Sequence, residues 1–352
     1  MAWTVDGLTY TKRKKVTISK TKVDEDLTDF PLCVRIVADT DIGAVCKSDG
    51  TDLRFTDASN NLLYCEIGNF AVSTGSATGN FWVKVPTIAT ANNTDCYCYY
   101  GNGSASSQAN PQNVWSNGYL FVAHYKEGTG TTINNSVDGA SATIQTSAPG
   151  HYPAWITGLI GTAIDTTSIE ATSVWADFGD NYRITGNTFT ITSWIKMFSN
   201  RNNENFLCKT NYGSISYPNG KIYTYFKVSG TQYSAQTTNT YGDSNWHMAQ
   251  SIYDNAHAKI LVDGGETENV TGQAVTGNVD QSTDHFTLWA YPVGNPYFHG
   301  YIDEQRVATS ARSIAWCKFE YYSQIDAAQL TFGSEEVPTV TGQFMSTNRG
   351  MW

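Results

Sequence analysis

Charge is what this sequence has least of. Asp, Glu, Lys and Arg make up 15% of its 352 residues, against about 25% in an average globular protein. Positive charge is the scarcer sign, with 22 Lys and Arg against 32 Asp and Glu and a net charge of −10. That balance excludes nucleic acid as a partner, because no Lys/Arg stripe exists to displace phosphate counterions. The one basic run, Lys12-Arg13-Lys14-Lys15, opens a strand and reads as solvated edge-strand charge. Long apolar runs are missing too. Nothing approaches 18 consecutive apolar residues, so no membrane insertion is expected, and Met1-Ala2-Trp3-Thr4-Val5-Asp6 has no basic segment leading into an apolar one, so no signal peptide is expected. Aromatics reach 13%, and low charge with many rings is the reverse of a disordered composition.

The seven cysteines include no CxxC pair, which disfavours zinc. Their positions say more than their number. Cys33 lies in FPLCVRIV, Cys96 and Cys98 alternate with Tyr97 and Tyr99, and Cys65, Cys208 and Cys317 each follow aromatic or apolar residues. At such strand positions a free thiol packs as a small hydrophobe. Only Cys46, beside Lys47 and a turn, reads as more exposed. The expectation is seven reduced thiols in a chain that folds in a reducing compartment.

What fills the sequence is period-two alternation. Val16 and Ile18 alternate with Thr17 and Ser19; FWVKV (81–85), DCYCYY (95–100), FTITSWIKMF (189–198), KIYTYFKV (221–228), HMAQSIY (247–253) and AKILVDG (258–264) follow. Turn residues such as Gly101-Asn102-Gly103, Asp254-Asn255 and Asp263-Gly264-Gly265 separate them. No helical apolar stripe of 12 residues stands out, so the fold class is all-β. The small-polar stretch SASSQANPQN (104–113) marks the best boundary. The expected organisation is an N-terminal arm (1–11), a small β-sandwich (12–104), a linker (105–114), a larger β-sandwich (115–336) and a C-terminal tail (337–352).

Two resemblances sharpen this reading. The segments RKKVTI (13–18), DFPLCVRI (29–36), DGTDLRFTD (49–57), LLYCEI (62–67), FWVKVP (81–86) and YYGN (99–102) resemble a domain-of-unknown-function family that commonly precedes laminin-G-like domains in bacterial, archaeal and phage proteins. GTAID (161–165), FTITSWIKM (189–197), NWHMAQSIYD (245–254), KILVDGG (259–265), FHGYIDEQRV (298–307) and FGSEE (332–336) resemble a concanavalin A-like, laminin-G/pentraxin-type jelly roll. The second resemblance implies two antiparallel sheets packed face to face with binding loops at the rim. It also implies a structural calcium held by the Asp of the penultimate strand and by carbonyls of the first strand. Here those positions are Asp303 in Tyr301-Ile302-Asp303-Glu304 and the segment His124-Tyr125-Lys126-Glu127-Gly128, with Glu127 as a second acid. Calcium takes six to eight hard oxygens. The alternative is that Asp303 caps a turn while Glu304 pairs with Arg306 or a neighbour. Asp165 and Asp177 are weaker metal candidates.

Catalytic signatures are missing. Family-16 glycoside hydrolases share the jelly roll and carry ExDxxE on one strand, and retaining hydrolysis needs two carboxyl groups about 5–5.5 Å apart. No ExDxxE occurs; Glu66 and the pair Asp303-Glu304 stand alone in their strands, and Glu266-Thr267-Glu268 lacks the third acid. Gly213 and Gly220-Lys221 miss the phosphate-loop spacing, and HExxH and GxSxG are absent. The six histidines are scattered, and His247 reads as a satisfied core imidazole. Sugar binding in such folds uses rings in rim loops to stack on pyranose faces. The candidates are Tyr152 and Trp155 in HYPAW, Tyr291 and Tyr297 in the loop around Pro292 and Pro296, and Tyr212 and Tyr217 near Pro218. Core packing is the competing fate of each ring.

The function expected on these grounds is a non-enzymatic virion surface protein (a phage capsid decoration, fibre or tail appendage). It would be multimeric in its assembly, with capsid or tail proteins of the same virion and surface glycans as partners, and weak binding multiplied by many copies. A secreted or cell-surface carbohydrate-binding module is the alternative, and a glycoside hydrolase a third.

Overall fold

A computed structural model of the chain describes residues 2–167, 173–200, 203–216, 219–291 and 297–338. Its regular structure is mostly antiparallel strands, gathered in two sandwiches. In the first, a four-stranded sheet runs Leu330–Glu336, Lys12–Ile18, Thr94–Tyr100, Arg54–Asp57, and a three-stranded sheet runs Leu27–Asp39, Ser76–Ile88, Cys65–Ser73. Their inner faces close on one apolar core that includes Val16, Ile18, Phe30, Leu32, Phe55, Phe81 and Val83. Alternation supplies these residues from one face of each strand.

The second sandwich is the jelly roll. One sheet begins at Thr132–Asn134 and passes through Ser141–Thr146, Val174–Asp177, Thr287–Leu288, Glu204–Lys209, Tyr212–Ser216 and Ile222–Val228 to Thr231–Gln236. The facing sheet holds Ala154–Thr157, Thr162–Asp165, Gly300–Ala308, Phe189–Met197, Trp246–Tyr253, His257–Val262 and Glu268–Ala274, with Tyr119–Ala123 paired to Gly300–Ala308. Phe189, Ile191, Phe206, Phe226, Tyr253, Ile260 and Phe286 lie in the core between the two sheets. All seven cysteines are free, six are buried and Cys46 is half-buried. Among the described residues no helix is long and apolar enough to cross a membrane.

Four segments differ from the sequence expectation. The residues assigned to an N-terminal arm form a hairpin, Trp3–Val5 with Leu8–Tyr10, and Val5 and Tyr10 pack on Tyr99. The stretch assigned to a linker is docked: Asn110 N–H donates to Cys65 O at 2.7 Å, Asn110 caps the short helix Pro111–Val114, and Val114 and Trp115 are buried. A 12-residue helix, Ile314–Ile325, follows the jelly roll. Its sequence has no single apolar stripe: Trp316 and Phe319 pack on Phe30 of the small sandwich, tilted and edge-on, at 4.7 and 5.2 Å. Gln324 and Glu320 accept hydrogen bonds from Trp194 and Gln250 of the jelly roll. A helix covered on two sides need not be amphipathic in the usual sense. Strand Leu330–Glu336, expected as the end of the jelly roll, pairs with Lys12–Ile18 and completes the first sandwich. Alternation marks Leu330 and Phe332 as strand residues but does not say which sheet they join. Of the expected tail, residues 339–352 lie outside the described residues.

Candidate functional site

Strand Ile222–Val228 turns Ile222, Phe226 and Val228 into the core. Its alternate residues Tyr223, Tyr225 and Lys227 line an open cleft of about 500 Å³ on the outer face of the sheet. The sheet register builds the rest of that cleft. Tyr225 lies opposite Gly213 on one side and Ser234 on the other, Tyr223 lies opposite Ile215, and Lys227 lies opposite Gln232. Asn205 follows one strand further on, opposite Ile215. Asn203, Thr210 and Tyr291 close the rim.

Gly213 makes the floor possible. A Cβ there would sit 2.9 Å from the Tyr225 ring and hydroxyl and 3.0 Å from Cys208 Cβ, so only glycine lets the Tyr225 ring lie across its neighbouring strand. Tyr225 is 8% exposed and its buried hydroxyl meets no hydrogen-bond partner at ordinary distance among the described residues; burial drives its pKa well up, so the phenol is neutral. Tyr223 stacks beside it with centroids 6.4 Å apart and planes 26° apart. Tyr291, 36% exposed, donates to Thr210 Oγ1 at 3.4 Å.

The aromatic candidates from sequence divide. Tyr291 lines the cleft. Tyr297 lies next to it through backbone bridges to Asn205 and Ala290. Tyr152 is exposed, and Trp155 belongs to an edge strand of the facing sheet, where its indole donates to Gly130 O at 2.9 Å and packs on the core. Neither lines the cleft. Tyr212 is a core residue whose hydroxyl donates to Tyr182 O. Tyr217 and residues 292–296 lie outside the described residues. Tyr223, Tyr225 and Lys227 were missed as site residues, although their i, i+2, i+4 spacing in KIYTYFKV places them on one strand face.

The metal candidates are held by protein donors. Asp303 is fully buried; Oδ2 accepts from Ile160 N–H at 2.9 Å, and Oδ1 has no partner among the described residues. Burial, then the neighbouring Glu304, pushes its pKa well up. Glu127 Oε1 accepts from Asn134 N–H at 2.9 Å and from its side-chain amide at 2.7 Å, while Oε2 has no partner among the described residues. Asp165 caps Thr167 and Asp177 pairs with His285 at 2.8 Å. Among the described residues no three His, Cys, Asp or Glu side chains gather as a metal cluster.

The densest ionisable cluster lies between the two sandwiches. Glu66, from strand Cys65–Ser73, accepts from Trp115 Nε1, Lys126 Nζ and Ser136 Oγ, each at 2.6 Å, and from His124 Nε2 at 3.2 Å. The other face of His124 donates to Glu304 at 2.7 Å. Glu304 also accepts from Arg306 at 2.7 Å, and Arg306 reaches Glu320 at 2.6 Å. Trp82 covers His124 and Arg306, with centroid distances of 5.2 and 4.3 Å. Burial alone would neutralise His124, but Glu304 and Glu66 raise its pKa to about 9. Burial alone would likewise raise Glu66, but His124 and then Lys126 hold it below its ordinary 4.5. With Glu66, His124, Glu304 and Arg306 all shut off from water, no substrate reaches this cluster, and its chemistry is that of a joint. Glu268 is occupied by Tyr241 at 2.6 Å and by the Thr238 and Asn239 amides. Glu266 lies 3.6 Å from Lys318. The two acids therefore do not act as a pair.

Comparison with known domain families gives the same order of two domains, with other bounds. Residues 49–143 match a domain of unknown function, DUF2341, and residues 170–316 match the concanavalin A-like lectin/glucanases superfamily. The chain carries a DUF2341 domain followed by a concanavalin A-like domain. No curated protein matches it in sequence. Solved structures similar to it include domain 4 of AbnA, an extracellular arabinanase from Geobacillus stearothermophilus in complex with arabinotriose, at 15% identity and a TM-score of 0.45, covering 57% of this chain and 97% of that one. The binding domain of Paraclostridial Mosquitocidal Protein 1 follows at 13% identity and 0.45, covering 62% and 54%. The binding domain of botulinum neurotoxin DC in complex with SialylT stands at 10% and 0.44, covering 59% and 52%. The chain spans about half the length of the latter two. At such identities the likeness is one of fold alone. The cleft of Tyr223 and Tyr225 lies within the matched concanavalin A-like domain.

Proposed function

We propose that the protein is a non-enzymatic glycan-binding surface protein whose sugar site is the cleft of Tyr223, Tyr225 and Tyr291. The observation that carries this reading is the lining itself: tyrosine rings beside the carboxamides of Asn203, Asn205 and Gln232, with no carboxylate among the described residues. Rings stack on the apolar faces of pyranoses and amides take their hydroxyls. Hydrolysis with a pair of carboxyl groups has no acid to use there. Residues adjoining the cleft in sequence but outside the description, Arg201-Asn202, Tyr217-Pro218 and 292–296, contribute no Asp or Glu either. A glycan array with the intact chain and with Tyr223→Ala and Tyr291→Ala tests the site. Wild-type hits that weaken severalfold to about tenfold in each variant, on a scale of about 0.5–1.5 kcal/mol per stacked ring, support it. Hits indifferent to both changes refute it.

For the place where the protein works, we favour a virion surface: a capsid decoration, fibre or tail appendage. Seven free thiols, six of them buried, suit a chain that folds where thiols stay reduced, and weak sugar contacts suit a many-copy assembly. A secreted or cell-surface carbohydrate-binding module is the second reading. Mass spectrometry of purified particles against cell-envelope fractions separates the two. A structural calcium at Asp303 and Glu127 stands on the same footing. Each residue offers one carboxylate oxygen without a donor among the described residues, and backbone carbonyls and water would have to complete the shell.

A further inference from the structure

The protein carries ten more negative than positive charges, and many of its cations are held by that surplus. Lys14 bonds Asp39, Lys15 bonds Asp95, Lys126 bonds Glu66, Lys209 bonds Asp180, Lys259 bonds Asp254 and Lys318 bonds Asp24. Lys227 is different. It lies in the cleft wall, two residues beyond Tyr225 on the same strand face, and its ammonium makes no hydrogen bond or ion pair among the described residues. None of the residues that line the cleft is an acid. Among the described residues, then, no carboxylate lines the cleft of this acidic protein, and the cation in its wall has no partner.

We infer that the glycan held in this cleft is anionic, with a carboxylate or sulfate oxygen accepting from Lys227 Nζ. The inference rests on the glycan-binding reading above and names its ligand class. Residues i and i+2 of a strand stand about 6.6 Å apart, so a pyranose against the Tyr223 and Tyr225 rings brings an acidic substituent, on that ring or the next, within the reach of the lysine chain. An ammonium facing a charged acceptor contributes more than a neutral hydrogen bond, and no acid among the described residues has to be displaced first. A neutral saccharide would leave the cation idle.

The test is a glycan array containing neutral, uronic-acid, sialylated and sulfated glycans, read with the intact chain and with Lys227→Gln, Lys227→Arg and Tyr223→Ala. Each anionic hit is then titrated beside its own neutral counterpart, methyl-esterified or desulfated, which distinguishes carboxylate from sulfate as the recognised group. The expected result is that the hits are anionic and weaken as salt is raised. Affinity should fall about tenfold, or about 1.4 kcal/mol, on neutralising the sugar or on Lys227→Gln, and Lys227→Arg should retain most of it. Neutral hits that are lost in Tyr223→Ala overturn the anionic inference and leave the cleft standing. Anionic binding that survives Lys227→Gln also overturns it. No glycan bound by the intact chain, or binding indifferent to Tyr223→Ala, overturns the cleft reading itself.

Discussion

Replacing Glu66 with glutamine removes one charge from the joint between the sandwiches while keeping the side chain's shape. In the native protein this carboxylate serves four donors, all from residues 115–136 beyond the small sandwich. The amide nitrogen of glutamine would face donors instead of accepting from them. Lys126 is 31% exposed at its side chain and can turn to water, so its loss costs little, about 1 kcal/mol or less. His124 and Trp115 cannot turn away, because both are buried. Breaking a buried ion pair from one side costs about 3–5 kcal/mol. Glu304 still holds the other face of His124, so the lower end, about 3 kcal/mol, is expected. With an unfolding entropy of about 2.1 cal/mol/K per residue, the whole chain changes by about 0.7 kcal/mol per degree, and Tm should drop by about 4 °C. Calorimetry of Glu66→Gln against Lys126→Gln reads this directly. Because Glu66 titrates lower folded than unfolded, its contribution is present above about pH 4.5 and is lost as pH falls below that value. The difference between wild type and Glu66→Gln should therefore shrink in acid. A loss under about 1 kcal/mol, no larger than that of Lys126→Gln, would refute the claim that this joint is desolvated and holds the sandwiches together.

Three further outcomes are expected. His124 titrates at about 9 folded against 6.5 unfolded, so its stabilisation is complete below about pH 6.5 and is lost as pH rises through 9, on the order of 3 kcal/mol by linkage; urea midpoints that stay flat from pH 6 to 10 contradict a charged His124. Gly213→Ala should force the Tyr225 ring off the cleft floor, costing about 1–3 kcal/mol by overpacking and weakening glycan binding; unchanged affinity in titration calorimetry would show that the Tyr225 position does not matter. Calcium at a hundredfold excess over its Kd should stabilise the protein by about 2.7 kcal/mol if Asp303 and Glu127 hold it, and a Tm identical in calcium and in chelator excludes the site.

Much of the architecture was legible because alternation is local. Val16 and Ile18, or Phe226 and Val228, show a buried face within five residues of chain, and the buried thiols follow from the same pattern. The two family resemblances reached the order of the sandwiches. The aromatic site was only partly legible: Tyr291 was named from its loop, but Tyr223 and Tyr225 read simply as strand residues. Whether an outward tyrosine meets solvent, a helix or a cleft depends on what covers that face, and cover comes from remote segments.

The sequence by itself determined the strands, the face each residue occupies, the poverty of charge and the lack of a catalytic acid pattern. Only the tertiary structure decided the partners. It sent Leu330–Glu336 back to Lys12–Ile18, packed the helix Ile314–Ile325 against both sandwiches, gathered four donors around Glu66, and left Lys227 beside tyrosines with no partner among the described residues. The physical reason is that a strand's period is written in neighbouring residues, whereas register, cover and charge pairing are settled between segments up to hundreds of residues apart.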